Sequence, residues 1–265
     1  MGVVNVTPDS FSDGGLYFSA DAAVAHGEQL VDEGAGVIDV GGESTRPGAE
    51  PVAVADELER VVPVVEGLKQ HRVSIDSRKA AVAEAALRAG ARIVNDVSAF
   101  RHDPEIAGVV ASARAGCCLM HMLGDDPRTM QDDPVYDDVV SDVKAFLEER
   151  LAFAVSEGVP EDKVWLDPGI GFGKTIDHNL ELLRRLDEIV AIGRPVVIGT
   201  SRKSFLGKLT GRDAPDRIAG TIATNVMALE RGASVFRVHD VAANVEALKV
   251  AAATLSGQWT RTPTT

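Results

Sequence analysis

Residues 72–94, RVSIDSRKAAVAEAALRAGARIV, hold one complete structural unit. A β-branched apolar run, Arg72–Ile75, ends in Asp76 and a Ser77 turn, and an Ala- and Leu-rich helical pattern over Lys79–Ala89 follows. Gly90 then stands where a left-handed C-cap stops a helix, just before the next apolar run, Arg92–Val94. Two strands joined through a helix imply a parallel pair. The cycle recurs outward in both directions. Further strand candidates are Val3–Val6, Val37–Val40, Cys117–His121, Val164–Leu166, Val196–Ile198 and Val235–Val238. Further helical stretches are Asp21–Glu33, Ala53–Lys69, Pro104–Ala113, Asp137–Glu157, Asn179–Val190, Pro215–Arg231 and Ala242–Leu255. Gly34, Gly116 and Gly232 repeat the cap position of Gly90. The strands are nearly continuous apolar runs, as in a parallel sheet covered on both faces. Eight βα units predict an α/β fold, a single-domain (β/α)8 TIM barrel over residues 1–255 with a loose tail at 256–265; a doubly wound sheet usually has fewer strands.

Composition narrows the function classes. Lys and Arg number 27 against 40 Asp and Glu, a net charge of −13, so the chain lacks the cationic surface that nucleic-acid binding requires. The 45% hydrophobic content supplies a core, while the apolar start Gly2–Val6 has no basic residues before it and stops at Thr7-Pro8-Asp9, too short for a signal peptide or membrane span. Cys117 and Cys118 are adjacent within a strand candidate and read as buried thiols of a reducing cytoplasm.

Barrel enzymes place their chemistry at the C-terminal ends of the strands. Here the runs end at Asn5, Asp39, Asp76, Asn95 with Asp96, His121, Asp167, Gly199 through Lys203, and Arg237 with His239. Turn-forming and capping roles explain any one of these, but not polar groups on all eight. Ser201-Arg202-Lys203-Ser204 puts two cations and two hydroxyls at a helix start, where they oppose the macrodipole and point to a bound anion. Alternation puts Arg237 and His239 on one face, and the cost of a buried unpaired Arg favours an anion site at the rim. Gly169-Ile170-Gly171-Phe172-Gly173-Lys174-Thr175 fails both nucleotide fingerprints, because Pro168 and Lys174 occupy required glycine positions. It reads instead as a glycine-hinged loop that brings Phe172 and backbone close to a ligand. The polar stretches Thr7–Gly15 and Gly41–Gly48 are candidate lids.

Asn5-Val6-Thr7-Pro8-Asp9-Ser10-Phe11-Ser12-Asp13-Gly14-Gly15, Gly42-Glu43-Ser44-Thr45-Arg46-Pro47-Gly48, Ile75-Asp76-Ser77, Val94-Asn95-Asp96, Leu119-Met120-His121-Met122, Asp167–Lys174, Ser201–Ser204 and Arg237-Val238-His239-Asp240 together resemble the dihydropteroate synthase family of pterin-binding barrels. The resemblance runs from Gly2 to about Leu255 and touches all eight strand ends. It implies condensation of 6-hydroxymethyl-7,8-dihydropterin diphosphate with p-aminobenzoate, giving 7,8-dihydropteroate and pyrophosphate with Mg²⁺. It further implies pterin binding by Asp76, Asn95, Met120, Asp167 and Lys203, and diphosphate binding by Thr45, Arg46, Arg237 and His239. Phe11, Pro47, Phe172 and Ser204 would bind p-aminobenzoate, Asn5 would hold the metal, and Asp13 would join Asp76, Asp167 and Lys203 in catalysis. A cytoplasmic homodimer is implied on the same ground.

These roles suit the chemistry: a pterin edge alternates donors and acceptors, which carboxylate and amide side chains complement. The electron-rich ring can support a methylene cation, so the expected step is SN1-like. Two rival readings are a methyltetrahydrofolate-dependent methyltransferase with a corrinoid partner, which has no use for the cationic elements Ser201–Ser204 and Arg237 with His239, and a non-catalytic pterin-binding paralogue.

Overall fold

The computed structural model describes residues 1–7, 16–44, 49–124, 130–131 and 133–258. Strands β1 (Gly2–Asn5), β2 (Ile38–Gly41), β3 (Val73–Asp76), β4 (Ile93–Asp96), β5 (Gly116–Met120) and β6 (Val164–Asp167) run parallel in sequence order within one sheet. β7 (Val197–Ile198) and β8 (Val235–Phe236) form a second parallel pair. Isolated parallel bridges, Leu166 with Val196 and Gly2 with Val238, mark the two seams. Across them Leu166 N–H donates to Pro195 O at 2.9 Å and Val3 N–H to Val238 O at 3.1 Å. The eight expected strands are therefore present in the expected order, with a thin join on either side of β7–β8.

Alternation divides the strand residues between two layers. Ile38, Val40, Val73, Ile75, Val94, Cys117, Leu119, Val164 and Leu166 are buried in the main core with the helices. The intervening Asp39, Ser74, Asp76, Asn95, Cys118, Met120 and Asp167 alternate with them and turn toward the barrel interior. Both cysteines are buried and free, and burial pushes the Cys117 thiol up to about 12, which keeps it protonated and unreactive.

The helices are α1 (Leu16–Asp32), α2 (Val54–Gly67), α3 (Ala80–Ala89), α4 (Glu105–Ala113), α5 (Val139–Ser156), α6 (Ile176–Arg184), α7 (Leu186–Val190), α8 (Ser204–Thr210), α9 (Ile218–Glu230) and α10 (Val241–Ser256). Among the described residues these number ten, against the eight expected. One reason is Arg185, whose guanidinium is drawn to Asp138 and Glu188 and which leaves helical geometry at φ −111°, dividing the single expected helix Asn179–Val190 into α6 and α7. The other is the short α8, stopped by a left-handed Gly211. Gly34, Gly90 and Gly232 adopt the positive φ expected of caps, but after α4 Arg114 takes the left-handed position at φ 49° and Gly116 opens β5. Among the described residues no helix is long and apolar enough to cross a membrane.

Leu119 is fully buried between sheet and helices. Leu119→Ala should lower the unfolding free energy by about 2–5 kcal/mol in urea titration, the usual range for an unfilled leucine site; a change near zero would show this layer to be loosely packed.

Candidate active site

The mouth of the barrel is organised around one guanidinium. Arg237 follows β8, anchored by its N–H on Ile198 O at 2.8 Å. Its Nε donates to Asp39 Oδ2 at 2.6 Å and its Nη2 to Asp76 Oδ2 at 2.7 Å. Asn95 Nδ2 donates to the same Asp39 oxygen at 3.0 Å, so β2, β3, β4 and β8 meet in one polar network. Burial pushes the Asp76 carboxyl up to about 7, with Arg237 pulling against it and Asp39 adding to the rise. Two carboxylates hold Arg237 firmly protonated despite its burial. The expectation of an Arg at the rim because it would be unpaired is corrected here: the structure pairs it twice. Its Nη1 makes no hydrogen bond among the described residues and remains available to a ligand.

Asp167 ends β6, beside Met120 in the parallel register. Its Oδ1 accepts from Gly169 N–H at 2.7 Å, and burial raises its carboxyl against that bond and the field of Lys203. Gly169 has φ +68°, and a Cβ there would lie 1.9 Å from His121 O, so only glycine lets the loop pass the end of β5. Lys203 precedes α8, with Nζ 4.0 Å from the centroid of the Phe172 ring, a cation–π contact. Burial lowers Lys203 to about 8; Arg237 lowers it further, while Asp167 and Asp76 oppose. Met120 packs with Val97, Met122 and Met130 in a small apolar cluster that Phe172 covers. Carboxylates, an amide, an ammonium and an apolar floor thus share one concavity.

The segment Ser201–Ser204 does not converge as expected. Arg202, at φ 59°, pairs with Asp240 through Nε at 3.1 Å and Nη2 at 2.5 Å. Ser201 Oγ accepts the His239 N–H at 3.1 Å and lies 3.0 Å from His239 Nδ1. Burial, reinforced by Arg237, lowers His239 to about 4, so it is neutral rather than cationic near pH 7. Ser204 is exposed as the first residue of α8. Asn5 sits half-buried at the end of β1, and its side-chain amide makes no hydrogen bond among the described residues. Phe11, Asp13, Thr45, Arg46 and Pro47, with most of the first candidate lid and half of the second, lie outside the described residues.

Asp39 was legible as a strand end but not as the shared partner of Arg237 and Asn95. Alternation with the apolar Ile38 and Val40 was its signal, since a carboxylate flanked that way must face inward and find a cation. Asp96, by contrast, is fully occupied by the turn after β4, accepting from Ser98 N–H, Ser98 Oγ and Phe100 N–H at 2.7, 2.7 and 2.8 Å.

Residues 1–239 match the family model described as pterin binding enzyme. A dihydropteroate synthase of Escherichia coli is 44% identical over 261 residues, covering 97% of this chain and 92% of that protein. The structure is similar to Xanthomonas albilineans dihydropteroate synthase with 4-aminobenzoic acid, at TM-score 0.90 and 48% identity, over 96% of this chain and 92% of that one. It is also similar to the Xanthomonas albilineans enzyme in complex with 7,8-dihydropteroate, at TM-score 0.85 and 44% identity, with 96% and 92% covered.

Arg237→Met should destabilise the protein by about 3–5 kcal/mol at alkaline pH, because it strands buried carboxylates. Asp76 keeps its proton below about 7 in either protein and, once ionised above that, has a guanidinium to face only in the wild type. The deficit in urea titrations should therefore be larger at about pH 9 than at about pH 6; a pH-independent deficit would detach Arg237 from Asp76.

Proposed function

This chain belongs to the pterin-binding enzyme family, and from that premise we propose how its residues perform the reaction of the dihydropteroate synthases within it. The reaction joins 6-hydroxymethyl-7,8-dihydropterin diphosphate to p-aminobenzoate and releases pyrophosphate. The observation that carries the assignment of roles is the interior network of Asp39, Asp76, Asn95 and Arg237, set beside Asp167, Lys203 and the Met120 cluster. Asp76, Asn95 and Asp167 complement the donor and acceptor edge of a pterin, and Met120 offers its ring an apolar face. Lys203 supplies a further donor to the same ring.

The diphosphate lies toward β8 in this reading, where Arg237 Nη1 and His239 Nε2 make no hydrogen bond among the described residues, with Thr45 and Arg46 approaching from the second loop. Heterolysis of the C–O bond sends the electron pair out with the diphosphate, and the pterin-stabilised methylene cation is favoured by Asp76 and Asp167. The amine lone pair of p-aminobenzoate closes the C–N bond, and the nitrogen then loses its proton to solvent. Phe172 flanks the arylamine, with Phe11, Pro47 and Ser204 completing its slot and Asp13 approaching from the first loop. Asn5, at the end of β1 with its side-chain amide free of hydrogen bonds among the described residues, would be one protein ligand of a magnesium ion otherwise held by substrate oxygens and water. When bound, that ion neutralises charge on the leaving diphosphate. Exposed Leu209, Met227, Val250 and Leu255 on α8–α10 support a homodimer, and the two free, buried thiols support a cytoplasmic setting.

A coupled pyrophosphate assay with both substrates should show turnover in the wild type and a loss on the order of 100-fold in Lys203→Ala, with its melting temperature near that of the wild type. Retained turnover in that variant would sink the site assignment. For the dissociative order, the protein loaded with pterin diphosphate alone should release pyrophosphate slowly; complete dependence of release on p-aminobenzoate would instead indicate direct displacement.

A further inference from the structure

Lys174 is 4% exposed, and among the described residues no carboxylate lies within ion-pair distance of it. An ammonium in that position carries a desolvation cost that an apolar side chain of equal length would avoid. Its Nζ donates to Phe172 O at 3.0 Å and to His121 Nδ1 at 2.9 Å. His121 can accept because burial and the nearby Lys174 hold its imidazole neutral, far below its ordinary value. The ring is fixed in turn by an edge contact with Phe146 at 4.8 Å, and the backbone N–H of His121 donates to Asp167 O at 2.9 Å.

The carbonyls on either side of Phe172 are held in the same way. Gln131 Nε2 donates to Gly171 O at 2.5 Å, and Tyr136 Oη donates to Gly173 O at 2.8 Å. Three consecutive carbonyls of a glycine-rich loop therefore each take a donor from a different side chain. Lys174 supplies the central one, directly behind the ring that covers the Lys203 ammonium.

We propose that Lys174 is a positioning residue for p-aminobenzoate: with His121 as its neutral anchor, it holds the Phe172 backbone so that the ring forms one wall of the arylamine slot. This rests on the proposed placement of p-aminobenzoate against Phe172. Of the pterin side, Asp76 and Asn95 stand on β3 and β4, apart from this loop, while Lys203, Met120 and Asp167 adjoin it, so the pterin diphosphate should feel the change less than p-aminobenzoate does. Lys174 thus lowers stability through its desolvation while fixing the second substrate, so the two properties should move in opposite directions when it is replaced.

The test is Lys174→Met, compared with Lys174→Arg. Lys174→Met should melt at or above the wild-type temperature yet raise KM for p-aminobenzoate about tenfold, with KM for the pterin diphosphate changed less than about twofold, while Lys174→Arg restores part of the loss. An unchanged p-aminobenzoate KM, or an equal rise in both KM values, overturns the proposal. Hydrogen exchange of the amides at 169–174 needs no turnover, so it separates this proposal from the functional reading. Exchange there should quicken in Lys174→Met while β1–β6 stay protected, and unchanged exchange overturns the proposal whatever the kinetics. If Lys174→Met does not fold, Tyr136→Phe, which removes only the donor to Gly173 O, should raise the p-aminobenzoate KM alone; a flat response overturns the proposal.

Discussion

The double grip of Arg237 on Asp39 and Asp76 is the contact on which the mouth of this barrel depends. It spans 198 residues of sequence to reach Asp39 and 161 to reach Asp76. A planar guanidinium suits the task, because its donors diverge at fixed angles and can meet two carboxylates while leaving Nη1 unspent. An ammonium at the same place would present a single point charge and no such division. The network also explains why three acidic side chains, Asp39, Asp76 and Asp167, are tolerated inside one small ring: Arg237 and Lys203 stand among them, and the resulting field is local.

That locality resolves an apparent conflict in the charge of the chain. A net −13 argues against an anionic substrate if it is spread evenly, yet the acidic excess sits largely on exposed helix faces. Within the mouth, the positions of individual donors matter more than the sum. Neutral His239 illustrates the point, since burial, with Arg237 beside it, discourages a second positive charge there.

Much of the architecture was legible in the sequence because parallel βα units leave a strong periodic signature. The strands Val37–Val40 and Ile38–Gly41, expected and observed, differ by a single residue, as do Arg72–Ile75 and Val73–Asp76. The departures have local causes. Arg185 divides a helix because three acidic neighbours, Asp138, Glu181 and Glu188, compete for its side chain, a tertiary effect that no periodicity reports. Arg114 takes a left-handed position more often held by glycine, while Gly116 two residues later lies where a Cβ would crowd Lys163 O at 3.2 Å. In the site, polar residues at strand ends could be named one by one, but partnerships such as Asp39 with Asn95, or His121 with Lys174, arise only when separate strands are laid side by side.

The thin seams on either side of β7–β8 acquire a second meaning from this distribution. The two mouth cations, Lys203 and Arg237, follow the two shortest strands, whereas Asp39, Asp76 and Asp167 belong to the continuous six-stranded sheet. Attraction across the opening therefore acts between the parts of the cylinder that share the fewest backbone bonds. The side-chain charges of the mouth thus clasp the cylinder where its backbone ladder is thinnest.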